Sequence, residues 1–254
     1  MEAVPAEPAE TIGLKGLLVG LLAIAALSAV YLGLLAGLVI GVDTLLHGSG
    51  HVSDLLAILD LGGRRGAERQ LDLGAISLGC LLYVTTIAAI VTVARVMSGR
   101  RWRLALAWGP FHFSQFYWLL VLAGCLWGLV ASALVERLHP EARDWFKLPE
   151  APLPLVGSFL LIVVLAPLAE ELLFRGWIFT GLRTRFSYYP ALLGSAVLFA
   201  LAHWEGTHLY AAAVFPVGLA LGWARENTGS VRATALFHGI YNLVGWVLTY
   251  FAIA

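Results

Sequence analysis

Residues 153–179 have the sequence LPLVGSFLLIVVLAPLAEELLFRGWIF, and this stretch decides the fold. It is long enough to cross a hydrocarbon core of about 30 Å, which takes about 20 residues of helix. Two glutamates and an arginine interrupt it, although a charge inside a membrane span costs about 2.5–3.5 kcal/mol on insertion scales. The stretch therefore predicts a membrane helix whose charged side chains have partners inside the protein and serve a function.

The composition of the whole chain is that of a membrane protein. Of its 254 residues, 60% are hydrophobic and 13% are charged, whereas about a quarter of the residues in soluble domains are charged. The 16 basic and 16 acidic residues give a net charge of zero, which argues against the basic surface that nucleic-acid binding requires. We therefore expect contacts with membrane lipid and none with nucleic acid.

Six further apolar runs predict helices on either side of the decisive stretch. They cover residues 14–42, 73–96, 114–134, 189–203, 208–224 and 231–254. Backbone polar groups in lipid must be satisfied within the spanning segment, which favours helices. The predicted fold is all-α, a polytopic membrane bundle of about seven transmembrane helices. An eighth, short helix is expected if residues 41–71 or 101–112 form an interfacial or re-entrant segment.

The charges of the decisive stretch have different expected partners. Glu171 and Arg175 are four residues apart on one helix face, so we expect an i,i+4 ion pair between them. Glu170 points about 100° away around the helix and needs another partner. Pro167 has no N–H, which predicts a kink and a freed carbonyl that must face protein or a wet cavity.

Three more polar side chains lie in the apolar runs downstream. His203 ends the run 189–203, while His238 and Asn242 are four residues apart in the last run. Small residues recur in these runs and allow helices to approach closely. We therefore expect Glu170, His203, His238 and Asn242 to meet inside the bundle.

These four residues permit hydrolysis of an amide without a covalent intermediate. A glutamate can act as general base toward a bound water, and histidines can hold that water, bind a metal or stabilise an oxyanion. The sequence contains neither G-x-S-x-G nor H-E-x-x-H, so the motifs of a serine hydrolase and of a standard zinc protease are missing.

The motifs resemble those of a known family. Residues 170–175 (EELLFR) match E-E-x-x-x-R, residues 199–203 (FALAH) match F-x-x-x-H, and residues 238–242 (HGIYN) match H-x-x-x-N, in that order. This ordered set resembles the CAAX protease and bacteriocin-processing (CPBP) family of intramembrane endopeptidases, which includes the type II CAAX prenyl proteases and the Abi proteins.

The resemblance implies an enzyme that hydrolyses peptide bonds inside a helical bundle, at a site reached from the cytoplasmic side. By analogy, Glu170 would activate a water that His203 positions. His238 and Asn242 would stabilise the oxyanion, and Glu171 with Arg175 would support Glu170. The resemblance leaves both a metal-free glutamate mechanism and a zinc mechanism open, with Glu170, His203 and His238 as the ligands if zinc is bound.

The sequence also predicts domains, partners and location. Residues 1–12 are expected to form a disordered tail, residues 13–150 the N-terminal transmembrane helices and interfacial segments, and residues 151–254 the CPBP-like catalytic core. The substrate is expected to be a peptide or a membrane-associated protein. Arginine greatly outnumbers lysine, which is typical of a GC-rich bacterial genome and favours a bacterial inner membrane. A transporter and a non-catalytic Abi-like immunity or scaffold protein are the alternatives, since membrane carboxylates and histidines also build ion relays.

Overall fold

The computed structural model describes residues 13–47, 73–112, 114–138, 148–204 and 208–253. Within these ranges the regular structure is entirely helical, and the predicted all-α class is confirmed. The predicted N-terminal tail and most of the segment 41–71 lie outside the described residues. The segment 101–112 contributes one helical turn, Trp102–Ala105, which follows the second helix through a 3-10 turn.

Seven helices occupy the described ranges, and each coincides within a few residues with one predicted apolar run. They are α1 Leu14–His47, α2 Leu73–Ser98, α3 Gln115–Leu138, α4 Pro152–Arg183, α5 Tyr188–Ala202, α6 His208–Thr228 and α7 Val231–Ile253.

The first four helices are long and apolar enough to cross a membrane, judged by length and composition. Helix α5 is apolar but shorter. Large apolar side chains such as Leu22, Leu34 and Leu122 are exposed on α1 and α3, as expected for surfaces that face lipid rather than water. These features are those of an integral membrane protein built as a helical bundle.

Helix α4 is the centre of the bundle and packs against α1, α2, α5, α6 and α7. Trp177 is fully buried, and its ring packs directly against Gly20 of α1. A Cβ at Gly20 would overlap the Trp177 ring. The indole Nε1 donates a hydrogen bond to Leu17 O at 3.3 Å. This packing anchors α4 on the N-terminal helix.

Helix α4 is wound more widely than an α-helix in two places, Leu160–Leu165 and Leu172–Phe179, on either side of Ala166–Glu171. In the first π segment Ala166 N–H bonds to Leu161 O, five residues back. The next bond of that register would join Ile162 O to residue 167, which is a proline without an N–H. The freed carbonyl predicted from Pro167 is therefore Ile162 O.

Asn242 of α7 provides the missing donor. Its Nδ2 donates a hydrogen bond to Ile162 O at 2.9 Å. Gly239, one turn earlier, lies so close to α4 that a Cβ there would be 3.0 Å from Val163 O. The weakened backbone of α4 is thus covered by α7, as a membrane helix with an unpaired carbonyl requires.

Candidate active site

Glu170 lies in the short α-helical segment between the two π segments of α4, with its side chain 15% exposed. Its two carboxylate oxygens have different surroundings. Oε1 accepts a hydrogen bond of 3.0 Å from the hydroxyl of Tyr83 on α2. Oε2 is buried, and none of the described groups hydrogen-bonds to it. Glu170 is therefore held by one oxygen and presents the other.

His203 lies at the C-terminal end of α5 and faces this second oxygen. Its Nδ1 is 2.8 Å from Phe199 O, and a carbonyl can only accept, so Nδ1 carries the proton. Its Nε2 is then an acceptor in the neutral ring, and lies 3.7 Å from Glu170 Oε2. The His203 side chain is 21% exposed, whereas Glu170 Oε2 is buried.

His238 of α7 approaches Glu170 from the buried side. Its Nδ1 is 3.0 Å from Glu171 Oε1, and its Nε2 is 3.9 Å from Glu170 Oε2. The Glu171 carboxylate can only accept, so Nδ1 is the protonated nitrogen here as well. His238 thus connects the two neighbouring glutamates of α4, one at each ring nitrogen.

Glu171 and Arg175 form the predicted i,i+4 ion pair, with Arg175 Nη1 donating to Glu171 Oε1 at 2.9 Å. Both side chains are completely buried. Arg175 Nη2 also donates to Gly218 O of α6 at 2.9 Å, and its guanidinium lies 4.3 Å from the centroid of the Phe199 ring. We call Glu171, Arg175 and the Nδ1 side of His238 the Glu171 cluster.

Gly218 allows α6 to come close enough for the bond to Arg175. A Cβ at this position would lie 3.2–3.3 Å from Phe199 and from the backbone of Ala196 on α5. A larger residue would therefore push α5 and α6 apart. The Glu171 cluster consequently ties α4 to α6 and α7 through hydrogen bonds among buried groups.

The structure brings three of the four predicted catalytic residues around one atom, Glu170 Oε2. His203 and His238 place their Nε2 atoms 3.7 and 3.9 Å from it. Asn242 lies one turn after His238 and its amide is bonded to Ile162 O. The oxyanion role of Asn242 stays a prediction, and its observed bond adds a function that the motif alone does not indicate.

Sequence reasoning missed Tyr83, because it lies in the N-terminal half, where no motif occurs. The only signal is a phenolic hydroxyl near the middle of the apolar run 73–96. A metal site is a separate question. No group of three or more His, Cys, Asp or Glu side chains in the described ranges is arranged to hold a metal ion. Whether zinc takes part stays untested.

Residues 152–244 match the family model described as type II CAAX prenyl endopeptidase Rce1-like. The match is confined to this segment, which is less than half of the chain. The resemblance to the CPBP family that the three motifs predict is therefore confirmed. The Rce1-like segment, as we call residues 152–244, contains all six predicted site residues but not Tyr83.

Two relatives share similarity with part of the chain. The UPF0177 protein YxdF of Lactococcus lactis subsp. lactis (strain IL1403) is 31% identical over 93 residues, covering 37% of this chain and 50% of that protein. An uncharacterized 24.3 kDa protein of Escherichia coli is 36% identical over 113 residues, covering 43% and 52%. The chain thus spans about half the length of the curated relatives it matches. No solved structure matches the chain.

Proposed function

We propose that the chain is an intramembrane endopeptidase of the CAAX-protease type, in which Glu170 activates a water molecule to hydrolyse a peptide bond. The observation that carries the proposal is the position of Glu170 Oε2, buried and faced by the Nε2 atoms of His203 and His238. The match of residues 152–244 to an endopeptidase family supports the same reaction.

The proposed water lies between Glu170 Oε2 and His203 Nε2. Their separation of 3.7 Å is longer than a direct hydrogen bond and suits two groups that share a water. Both atoms are acceptors in the states described, so each takes one water hydrogen. The lone pairs of the water oxygen then point away from both residues, toward a substrate carbonyl.

The reaction follows from this placement. Glu170 Oε2 accepts a proton as the water oxygen bonds to the carbonyl carbon, giving a tetrahedral oxyanion. Glu170 then returns the proton to the amide nitrogen, the C–N bond breaks, and a carboxylic acid and an amine leave. General acid–base catalysis of this kind contributes about 10²–10⁴-fold to a rate.

His238 is proposed to stabilise the oxyanion through Nε2. Donation from this atom requires the doubly protonated ring, because Nδ1 already donates to Glu171. The Glu171 carboxylate, 3.0 Å from Nδ1, holds the ring in this orientation. Asn242 is proposed to stabilise the oxyanion as well. It would donate the Nδ2 hydrogen that is not bonded to Ile162 O.

The substrate is proposed to be a peptide or a membrane-associated protein, cleaved at a bacterial inner membrane whose lipid surrounds the bundle. The exposed apolar side chains of α1 and α3 support the lipid contact. The reaction is proposed to run without a metal. In the alternative mechanism, Glu170, His203 and His238 would hold a zinc ion that polarises the carbonyl and activates the water.

Cleavage of a quenched peptide library by purified protein in detergent tests this proposal. Wild type and the control Glu150→Gln, which changes an exposed carboxylate, should cleave, and Glu170→Gln should not. A chelator should leave the activity unchanged; loss of activity together with stoichiometric zinc would replace the metal-free mechanism by the zinc mechanism. Equal cleavage by wild type and Glu170→Gln would contradict the role of Glu170. An absence of cleavage in all three proteins would favour a transporter or a scaffold.

A further inference from the structure

We propose that Tyr83 is a positioning residue for the proposed general base and that the active site is completed by helix α2, outside the Rce1-like segment. This inference rests on the proposed function. It starts from the hydrogen bond of 3.0 Å that the Tyr83 hydroxyl donates to Glu170 Oε1, across 87 positions of sequence.

The close packing of α2 on α4 brings Tyr83 to this position. Gly79 lies one turn before Tyr83 on the same face of α2. A Cβ at Gly79 would be 3.0 Å from the Leu161 side chain. A Cβ at Gly157 of α4 would be 2.8 Å from Ile76. Two glycines, one on each helix, thus let the helices approach closely enough for the tyrosine to reach the carboxylate.

The bond distinguishes the two oxygens of Glu170. The terminal torsion of a glutamate side chain is broad and nearly two-fold, so an unrestrained carboxylate would exchange Oε1 and Oε2 and tilt away from His203. Tyr83 donates its hydrogen bond to Oε1, and Oε2 therefore faces His203 and His238. One oxygen is thereby reserved for the water, in an orientation fixed before substrate arrives.

The contribution of Tyr83 is therefore to kcat rather than to substrate affinity. Misplacement of a reacting group by about 1 Å can cost about 10²-fold in rate. Removing the hydroxyl while keeping the ring should lower kcat by about 10–100-fold. The KM for the peptide should stay within about twofold, because nothing that holds the substrate is altered.

The test compares Tyr83→Phe with Tyr31→Phe. Tyr31 of α1 is a matched control, because its hydroxyl also lies in a hydrogen bond between helices, at 3.3 Å from Thr92 Oγ1, but does not contact Glu170. Wild type and Glu170→Gln are measured beside them, with kcat, KM and the unfolding midpoint determined for each protein. The expected result is a loss of kcat in Tyr83→Phe alone among the tyrosine variants, with KM unchanged and a similar small decrease of the midpoint in both, since each loses one hydrogen bond between helices.

The other outcomes overturn the proposal in distinguishable ways. If Tyr83→Phe keeps a kcat within twofold of wild type while Glu170→Gln is inactive, Tyr83 has no positioning role and the proposed function stands. An equal loss in both tyrosine variants, or a change confined to KM or to the midpoint, shows a general structural or binding effect instead. If wild type and Glu170→Gln do not differ, the proposed function and the role of Tyr83 both fail.

Discussion

Glu170 and Glu171 are adjacent in sequence, yet the two faces of helix α4 on which they lie have opposite properties. The Glu171 face is closed. Its carboxylate is fully buried, and Oε1 accepts hydrogen bonds from Arg175 and His238, while Oε2 is enclosed without a hydrogen bond from the described groups. The Glu170 face is partly open, with one oxygen bound by Tyr83 and the other facing two histidines at more than hydrogen-bond distance.

The difference shows what each face can contribute. The Glu171 carboxylate and the Arg175 guanidinium neutralise each other in the low-dielectric interior, where loss of either would leave a buried charge without its counter-ion. Glu171 is therefore suited to holding helices together. Glu170 has no cation of that kind in direct contact among the described residues, and its Oε2 is proposed to bind a water. His238 links the two faces, so the Glu171 cluster orients the imidazole ring that faces Glu170 Oε2.

Apart from Glu170 itself, the largest effect is expected at His203, which belongs to the open face only. His203→Ala should lower kcat/KM by about 10³-fold, because the proposed water loses one of the two groups that orient it. The unfolding midpoint should stay close to that of wild type. His112→Ala, which removes an exposed histidine, is the control. A His203→Ala protein that retains wild-type turnover would remove His203 from the mechanism.

The next effect is expected in the closed face. Arg175→Ala should destabilise the protein by about 3–5 kcal/mol, because the buried Glu171 carboxylate loses its counter-ion and keeps only the hydrogen bond from His238. Gly218 O also loses its donor. Thermal unfolding in detergent measures the change, with the exposed Arg185→Ala as control. An unchanged midpoint would show that the ion pair carries no stability and would weaken the comparison of the two faces.

Gly20→Ala tests the packing of α1 against Trp177 of α4. The added Cβ overlaps the Trp177 ring, and overpacking of a core typically costs about 1–3 kcal/mol. Gly33→Ala is the matched control on the same helix, because a Cβ there meets no atom within 4 Å. Equal midpoints for the two variants would mean that α1 is not held tightly on α4.

The smallest effect is expected at Asn242, whose amide binds the carbonyl freed by Pro167. Asn242→Ala should cost about 1 kcal/mol, the size of a typical hydrogen bond inside a membrane protein. The cost should fall in the background of Pro167→Ala, which restores a backbone N–H. Asn227→Ala, at an exposed site on α6, is the control. If the cost is the same with and without Pro167, the amide does not compensate for the proline.

Much of this architecture could be predicted from the sequence. The apolar runs predicted the bounds of seven helices to within a few residues, because length and hydropathy are local properties of the chain. The i,i+4 spacing of Glu171 and Arg175 gave their ion pair, since both residues lie on one helix. Glu170, His203 and His238 were expected to meet because each is expensive alone in a membrane, and they do meet.

Other features depend on contacts that no local pattern encodes. Tyr83 reaches Glu170 because of how closely α2 packs on α4, which the sequence of neither helix reveals. Asn242 is bonded to Ile162 O because α4 is wound in a π register there, so that a proline removes a different bond from that expected in an α-helix. Helix α5, with 15 residues, is also shorter than a simple span, and within the described ranges only α1 to α4 meet both the length and the hydropathy of a membrane-crossing helix.

The central claim is that two adjacent glutamates divide chemistry and stability between them. Glu170→Gln and Glu171→Gln, compared side by side for kcat/KM and unfolding midpoint, test it most directly. The account predicts that Glu170→Gln loses about 10³-fold or more in turnover with an unchanged midpoint, while Glu171→Gln unfolds at a lower temperature and keeps measurable turnover when folded. Equal loss of turnover at an equal midpoint in both variants, or an active Glu170→Gln, would contradict it.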